Sequence, residues 1–226
     1  MYQQTLRNRA SPSRLVALNK NLSSQQKCAL IDRHFGGLLA IEAPTMPADL
    51  SQWVMRCYDP DKSELVIPNR GSVPVDANSV SDMWGLPNSG MKVVWEINAE
   101  VVKAINAEYG FKQSTAPDLT AWCTMIKDKL KGDFGDKFVR AWAVVAFDCF
   151  LAPTTGLKVS PRCYVAVSDL DQLERMNISQ FVVDQIKQAF LGLKNNKKSV
   201  CCCVYDLVVS IQPLHPLFFV LMVLIF

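Results

Sequence analysis

Phe138–Leu151, FVRAWAVVAFDCFL, is the longest apolar run ahead of the C-terminal tail, and Pro153 stops it. At about 100° per residue, Phe138, Trp142, Val145 and Cys149 fall on one stripe of a helix. Val139, Ala143, Ala146, Phe147 and Phe150 cover most of the rest, and Lys137, Arg140 and Asp148 leave only a narrow polar seam. A helix that is apolar nearly all round is a buried one. The stretch would span roughly 21 Å, short of the roughly 30 Å of a bilayer core. It therefore reads as a core helix, on which the other elements pack. Asp148 is expected to be a seam carboxylate, paired with an Arg or Lys or facing water, rather than a catalytic acid.

Working outward, most elements are announced by caps. Ser23 and Gln26 have capping-box spacing for a helix whose Cys28, Ile31 and Phe35 share a face and which Gly36-Gly37 ends. Another helix starts near Pro47 and carries Leu50, Trp53, Val54 and Cys57. Over 63–75, Glu64–Ile67 and Ser72–Val75 flank Asn69-Arg70-Gly71, which predicts a small hairpin with Pro74 on an edge strand. Asp76 caps a short helix with Val80, Met83 and Trp84, terminated by Gly85 and Pro87. Lys92–Ile97 reads as a short extended segment, and Asn98 caps a helix that Gly110 closes.

Asp118 caps the next helix, with Leu119, Cys123, Ile126 and Leu130 on one stripe, Trp122 beside it, and Asp128, Lys129 and Lys131 on a solvated face. Beyond Pro153, Ser160-Pro161 starts a short helix. An amphipathic helix follows from about Ile178 to Leu193, with Ile178, Val182, Ile186, Ala189 and Leu193 in its stripe.

The fold class expected is mainly α: an irregular multi-helix domain around a buried central helix at about 138–151, with one small β-hairpin at about 63–75. The expected core is Trp53, Trp84, Phe138, Trp142, Val145 and Phe150, with a turn at Gly85, Pro87 and Gly90. Residues 1–22 read as a flexible basic arm, 23–193 as the helical module, and 194–226 as a polar break followed by an apolar tail.

Composition bounds the function. Hydrophobic residues make up 50% of the 226, which excludes wholesale disorder. The net charge of +3 is uneven. Arg7, Arg9, Arg14, Lys20 and Lys27 precede the first acid, while the rest of the chain carries 19 of the 24 basic residues against all 21 acidic ones. The body is not a basic nucleic-acid-binding surface; the N-terminal arm is the one candidate for such a contact, through Arg7, Arg9, Arg14 and Lys20, and a short basic arm of this kind is otherwise simply solvated.

The eight cysteines form no CxxC pair, and the start MYQQTLRNRASPS has no signal-peptide core, so free thiols in a reducing compartment and no metal site are expected. Phosphate-binding glycine loops and the GxSxG elbow are absent from the sequence. His34 and His215 are the only histidines, and neither sits in a nucleophile–base context. No catalytic, cofactor-binding or metal-ligating residue is expected, and no cofactor.

From Leu207 to Phe226 there is no charged residue, and LFFVLMVLIF closes the chain. A tail anchor flanked by Lys197 and Lys198 is one reading of 207–226. Gln212, Pro213, His215 and Pro216 break the run, and ten residues of helix reach only about 15 Å. A buried terminal element, or the end of a truncated gene model, is the other.

In order, FGGLLAI (Phe35–Ile41), LSQWVMRCYDPDKSELVI (Leu50–Ile67), VPVDANSVSDMWGLPNSGMKV (Val73–Val93), FVRAWAVVAFDCFLAPTT (Phe138–Thr155) and VSPRCYVAVSDLDQLERMNISQFVVDQIKQAF (Val159–Phe190) resemble the plant mobile domain. This aminotransferase-like domain occurs in transposon-derived proteins of flowering plants, often ahead of a SUMO-protease-like peptidase domain in grasses. The resemblance covers about Leu22 to Phe190 and is most specific at GLPNSG (Gly85–Gly90). It implies a non-catalytic binding or scaffold module, an unidentified protein partner, and a nuclear role tied to mobile elements or silencing. No cofactor lysine carries over, and the peptidase His, Asp and Cys are not in this chain. The alternatives are an N-terminal remnant of such a peptidase polyprotein, a nucleic-acid-binding protein, or a tail-anchored membrane protein.

Overall fold

The computed structural model describes residues 10–112, 115–154, 156, 158–194 and 200–210. Arg7, Arg9, Thr155, Lys197, Lys198, His215 and the tail from 211 lie outside the described residues. The fold is mainly α, with twelve α-helices and one small antiparallel sheet among the described residues.

At the centre, α8 (Asp136–Ala146) passes into a π-helical turn, Phe147–Leu151. Phe138, Trp142, Val145 and Phe150 are all buried there, each worth roughly 1.5–3 kcal/mol of apolar burial. The wider turn is closed by the Ala152 N–H donating to the Phe147 carbonyl at 2.8 Å. Pro153, which has no N–H to continue the ladder, follows at once. The sequence predicted a continuous helix here, and the π turn carried no signal in residue type.

Packed on α8 are α2 (Ser24–Asp32), α7 (Leu119–Lys129) and α9 (Arg162–Ser168), while α1 (Ser13–Asn19) lies against the π turn and α7. Residues 13–19 therefore do not belong to a flexible arm. Leu15, Val16 and Leu18 bury completely or nearly so, and Asn19 joins Trp142 in the core.

The face assigned to α2 also differs. Gln26 and Leu30 are buried, whereas Cys28 and Ile31 are exposed. His34 turns left-handed (φ 64°), and Phe35 enters the core by donating its N–H to Leu30 O at 2.9 Å. Gly36-Gly37 does not end α2 but opens α3 (Gly36–Leu39), where a Cβ on Gly37 would collide with the Trp84 carbonyl.

Next, α4 (Ala48–Cys57) runs into β1 (Tyr58–Asp59), an added third strand that pairs antiparallel with β2 (Glu64–Ile67). The predicted hairpin is β2 with β3 (Gly71–Pro74), in the register Leu65↔Val73, and Pro74 sits on the edge strand. Trp53, expected in the core, is only half-buried at its margin.

Asp76 caps α5 (Ala77–Trp84) in a full capping box with Ser79, and Gly85 ends it at φ 66°. Asn98 and Asp118 cap α6 (Ala99–Glu108) and α7. Arg140 leaves the expected seam: its Nη1 donates to both carboxylate oxygens of Glu108 on α6, at 2.8 and 3.1 Å, and its Nε donates to the Val167 carbonyl. After α9 comes the short α10 (Leu170–Leu173), and α11 (Ile178–Lys194) packs along α5.

The folded unit does not stop at 193. Val200, Cys202, Cys203, Val204, Leu207 and Val208 are buried, the last three on α12 (Val204–Val209), which packs against α4 and α5.

Candidate functional site: sealed carboxylates and a lysine-rimmed groove

Asp148 sits in the π turn and is buried. Contrary to expectation, it is closed off from water, and it forms no ion pair among the described residues. It accepts the Ser160 N–H at 2.9 Å and the Thr154 hydroxyl at 3.5 Å, so it ties the chain beyond Pro153 back onto the core. Burial pushes its carboxyl up to about 6, and these hydrogen bonds and the field of Arg14 hold it from going higher. The Cys163 thiol, also buried, donates to the Ser160 carbonyl at 3.0 Å. Burial first, and the nearby Asp148 second, push that thiol well above its ordinary value, so it stays a neutral thiol.

A second carboxylate, Asp206 on α12, is fully buried and was not singled out in the sequence as a site. Its Oδ1 accepts the indole N–H of Trp84. Its Oδ2 is buried and has no hydrogen-bond partner among the described residues. Burial pushes it up to about 7, with the Trp84 N–H and the Cys203 thiol pulling the other way. Cys202 and Cys203 beside it are pushed well up by burial and by the Asp206 charge. A neutral thiol beside a carboxyl that holds its proton near neutrality is a packing arrangement and not an activated nucleophile.

The Gly85–Gly90 turn is held by the loop between α10 and α11. Met91 N donates to Arg175 O (2.8 Å), Asn177 N to Met91 O (2.7 Å), and Ser179 N to Pro87 O (2.9 Å). The Ser179 hydroxyl reaches Leu86 O at 3.1 Å, and the Asn177 amide reaches Asn88 O at 2.8 Å. Gly90 has φ 101°, and a Cβ there would strike the Arg175 carbonyl. A cleft of about 260 Å³ beside it has both Lys92 and Asp184 in its lining. The turn residues expected from the sequence thus form a structural clasp.

A surface feature with a chemical bias lies elsewhere. The turn between α1 and α2 and the C-terminal half of α7 enclose a groove of about 250 Å³. Leu18, Leu22 and Ile126 are its apolar contribution, Asn21 and Gln26 its amides, and Lys127 and Lys131 its cations; no carboxylate lines it. Gln26 shapes the wall. Its Nε2 donates to Leu130 O (3.0 Å) and Asp133 O (2.9 Å), while its Oε1 accepts the Ser23 N–H, so α2 is clamped to the end of α7. α1 packs on α7, and burial pushes the Cys123 thiol of α7 up, with Lys127 and Arg14 pulling the other way. Lys20 follows at the end of α1, and residues 10–31 contain no acid.

Of the residues weighed from the sequence, Arg14 and Lys20 thus stand on an ordered helix, and Lys131 belongs to the groove and not only to a solvated face. The groove joins segments about a hundred residues apart, so sequence spacing held no signal for it. His34 is exposed at the end of α2. Among the described residues no group of His, Cys, Asp and Glu is arranged to hold a metal ion, and no helix is long and apolar enough to cross a membrane.

A family model described as a domain of unknown function (DUF8566) matches residues 8–208. The chain belongs to that family. The match begins ahead of α1 and ends within α12, the same span over which the core is continuous. No curated protein matches the chain, and no solved structure does.

Proposed function

We propose that this chain is a non-catalytic binding or scaffold module. The observation that carries the reading is the placement of its reactive groups. Asp148, Asp206, Cys163, Cys202 and Cys203 are all buried, and the hydrogen bonds of Asp148, Asp206 Oδ1 and Cys163 hold the loop after Pro153 and α12 to the core. A catalytic acid or nucleophile has to meet a substrate, and these meet only the fold. The outward chemistry is that of a groove with two lysines and no carboxylate, which suits recognition by charge.

The resemblance to the plant mobile domain supports a nuclear setting in mobile-element biology or silencing, with a protein partner. The test is cross-linking and size-exclusion analysis of the tagged full chain from plant nuclei, alongside turnover assays of the purified chain on esters, peptides and phosphoesters. The reading expects a nuclear complex of defined stoichiometry and no turnover. Turnover abolished by Asp148→Asn or Cys163→Ser, in a variant that still folds, would overturn it.

A further inference from the structure

We infer that the groove between the α1–α2 turn and α7 is a binding site for the phosphate backbone of a nucleic acid. This rests on reading the chain as a binding module and names the partner of that surface. Both donors of Gln26 Nε2 are committed, to Leu130 and Asp133, and Asn21 Nδ2 gives one of its two to the Ala17 carbonyl at 2.7 Å. What remains to meet a ligand is the ammonium groups of Lys127 and Lys131 above Leu18, Leu22 and Ile126. Mobile ammonium charges suit phosphate oxygens, whereas planar recognition of a carboxylate favours an arginine fork.

The charge also continues beyond the groove. Arg14 on α1 and Lys20 at its C-terminal cap are both exposed, and residues 10 to 31 contain no acid. Four cations spread over two elements fit a polymer of phosphates better than one small anion. Leu22, which is part-exposed, gives a sugar face a surface to lie on, whereas Leu18 and Ile126 are buried. Binding of this kind is independent of sequence and falls steeply with salt.

The test titrates the full chain into a short fluorescein-labelled DNA duplex by anisotropy. Four neutralised phosphates give a log–log salt slope of about −3.6, roughly a hundred-fold loss of affinity between about 50 and 200 mM. Lys127→Glu with Lys131→Glu should weaken binding by about tenfold or more and flatten the slope by about 2, roughly 1 for each lysine. Lys62→Glu with Lys103→Glu, on other surfaces, should leave the slope within experimental error. Thermal unfolding checks each variant, and Lys127→Gln with Lys131→Gln replaces the first pair if the charge reversal unfolds.

Absence of DNA binding, or binding indifferent to the groove pair, would overturn the inference while leaving the binding-module reading standing. That reading falls instead to residue-dependent turnover. Displacement of the duplex by an acidic peptide that binds more tightly would also overturn it, by assigning the groove to a protein.

Discussion

The indole N–H of Trp142 donates to the side-chain oxygen of Asn19 at 2.9 Å, deep in the core and across 123 residues of sequence. Asn19 passes the link on, its amide donating to the Leu38 carbonyl at 3.0 Å. One buried asparagine thus anchors α1 to the central helix and to α3, and the basic residues of α1 are held in place over α7. An asparagine between apolar neighbours costs desolvation unless both its ends are used, and here both are.

Asn19→Leu keeps the volume but leaves the Trp142 N–H and the Leu38 carbonyl unpaired, and should lower stability by about 2–4 kcal/mol. Lys20→Ala, next in sequence but exposed, should change it by less than about 0.5 kcal/mol. Urea unfolding midpoints compare them. Equal, small effects would mean that α1 is detached from the core in solution.

Asp206 makes the fold sensitive to pH. Its carboxyl is pushed up to about 7, above its unfolded value, so the folded state holds the proton more tightly. The stability this contributes is complete at pH below about 4 and is lost as pH rises through about 7. Asp148, pushed up to about 6, acts in the same direction over a lower range. Asp206→Asn keeps an oxygen for Trp84 but cannot ionise. Its melting temperature relative to the parent chain should therefore rise between about pH 5 and pH 8. A difference independent of pH would remove Asp206 as a titrating group.

Gly71 and Gly90 share φ 101°, but only Gly90 has a carbonyl in the way of a Cβ. Gly71→Ala should cost about 1 kcal/mol through backbone strain alone. Gly90→Ala should cost more, on the order of 2–4 kcal/mol, because the clasp to Arg175 must also open. Chemical denaturation of the two variants separates strain from collision, and equal costs would show that the clasp is not tight.

The cysteines should label in order of burial. Cys28 is exposed, Cys123 and Cys201 are half-buried, and Cys163, Cys202 and Cys203 are buried. Under native conditions an aromatic disulfide reagent should modify Cys28 first and the last three only at the rate of unfolding. Fast modification of Cys163 or Cys202, read by mass spectrometry, would show that the core opens to reagents and would undercut the sealed-core reading.

Much of this was legible in the chain. The caps at Ser23, Asp76, Asn98 and Asp118, the glycine stop at Gly85 and the hairpin around Gly71 are local signals, set by backbone groups within four residues, and each forms as read. Phe138–Phe150 was legible because apolarity all round a helix has one physical outcome. What escaped depends on distant partners. The burial of Asn19 needs Trp142, that of Asp206 needs Trp84, and α2 shows Gln26 inward because the end of α7 supplies two carbonyls. The helices and strand missed, α1, α3, α10, α12 and β1, are each seven residues or fewer, too short for a periodic pattern.

Hydrogen exchange on the full chain with and without a short DNA duplex tests the central claim most directly, since it reports where a partner touches. The account predicts new protection in α1, in the first half of α2 and over the C-terminal half of α7, with the amides around Asp148, Ser160 and Asp206 unchanged. Protection centred on Ser160 or on Cys202–Asp206, with α7 unaffected, would contradict it and move the working site into the core.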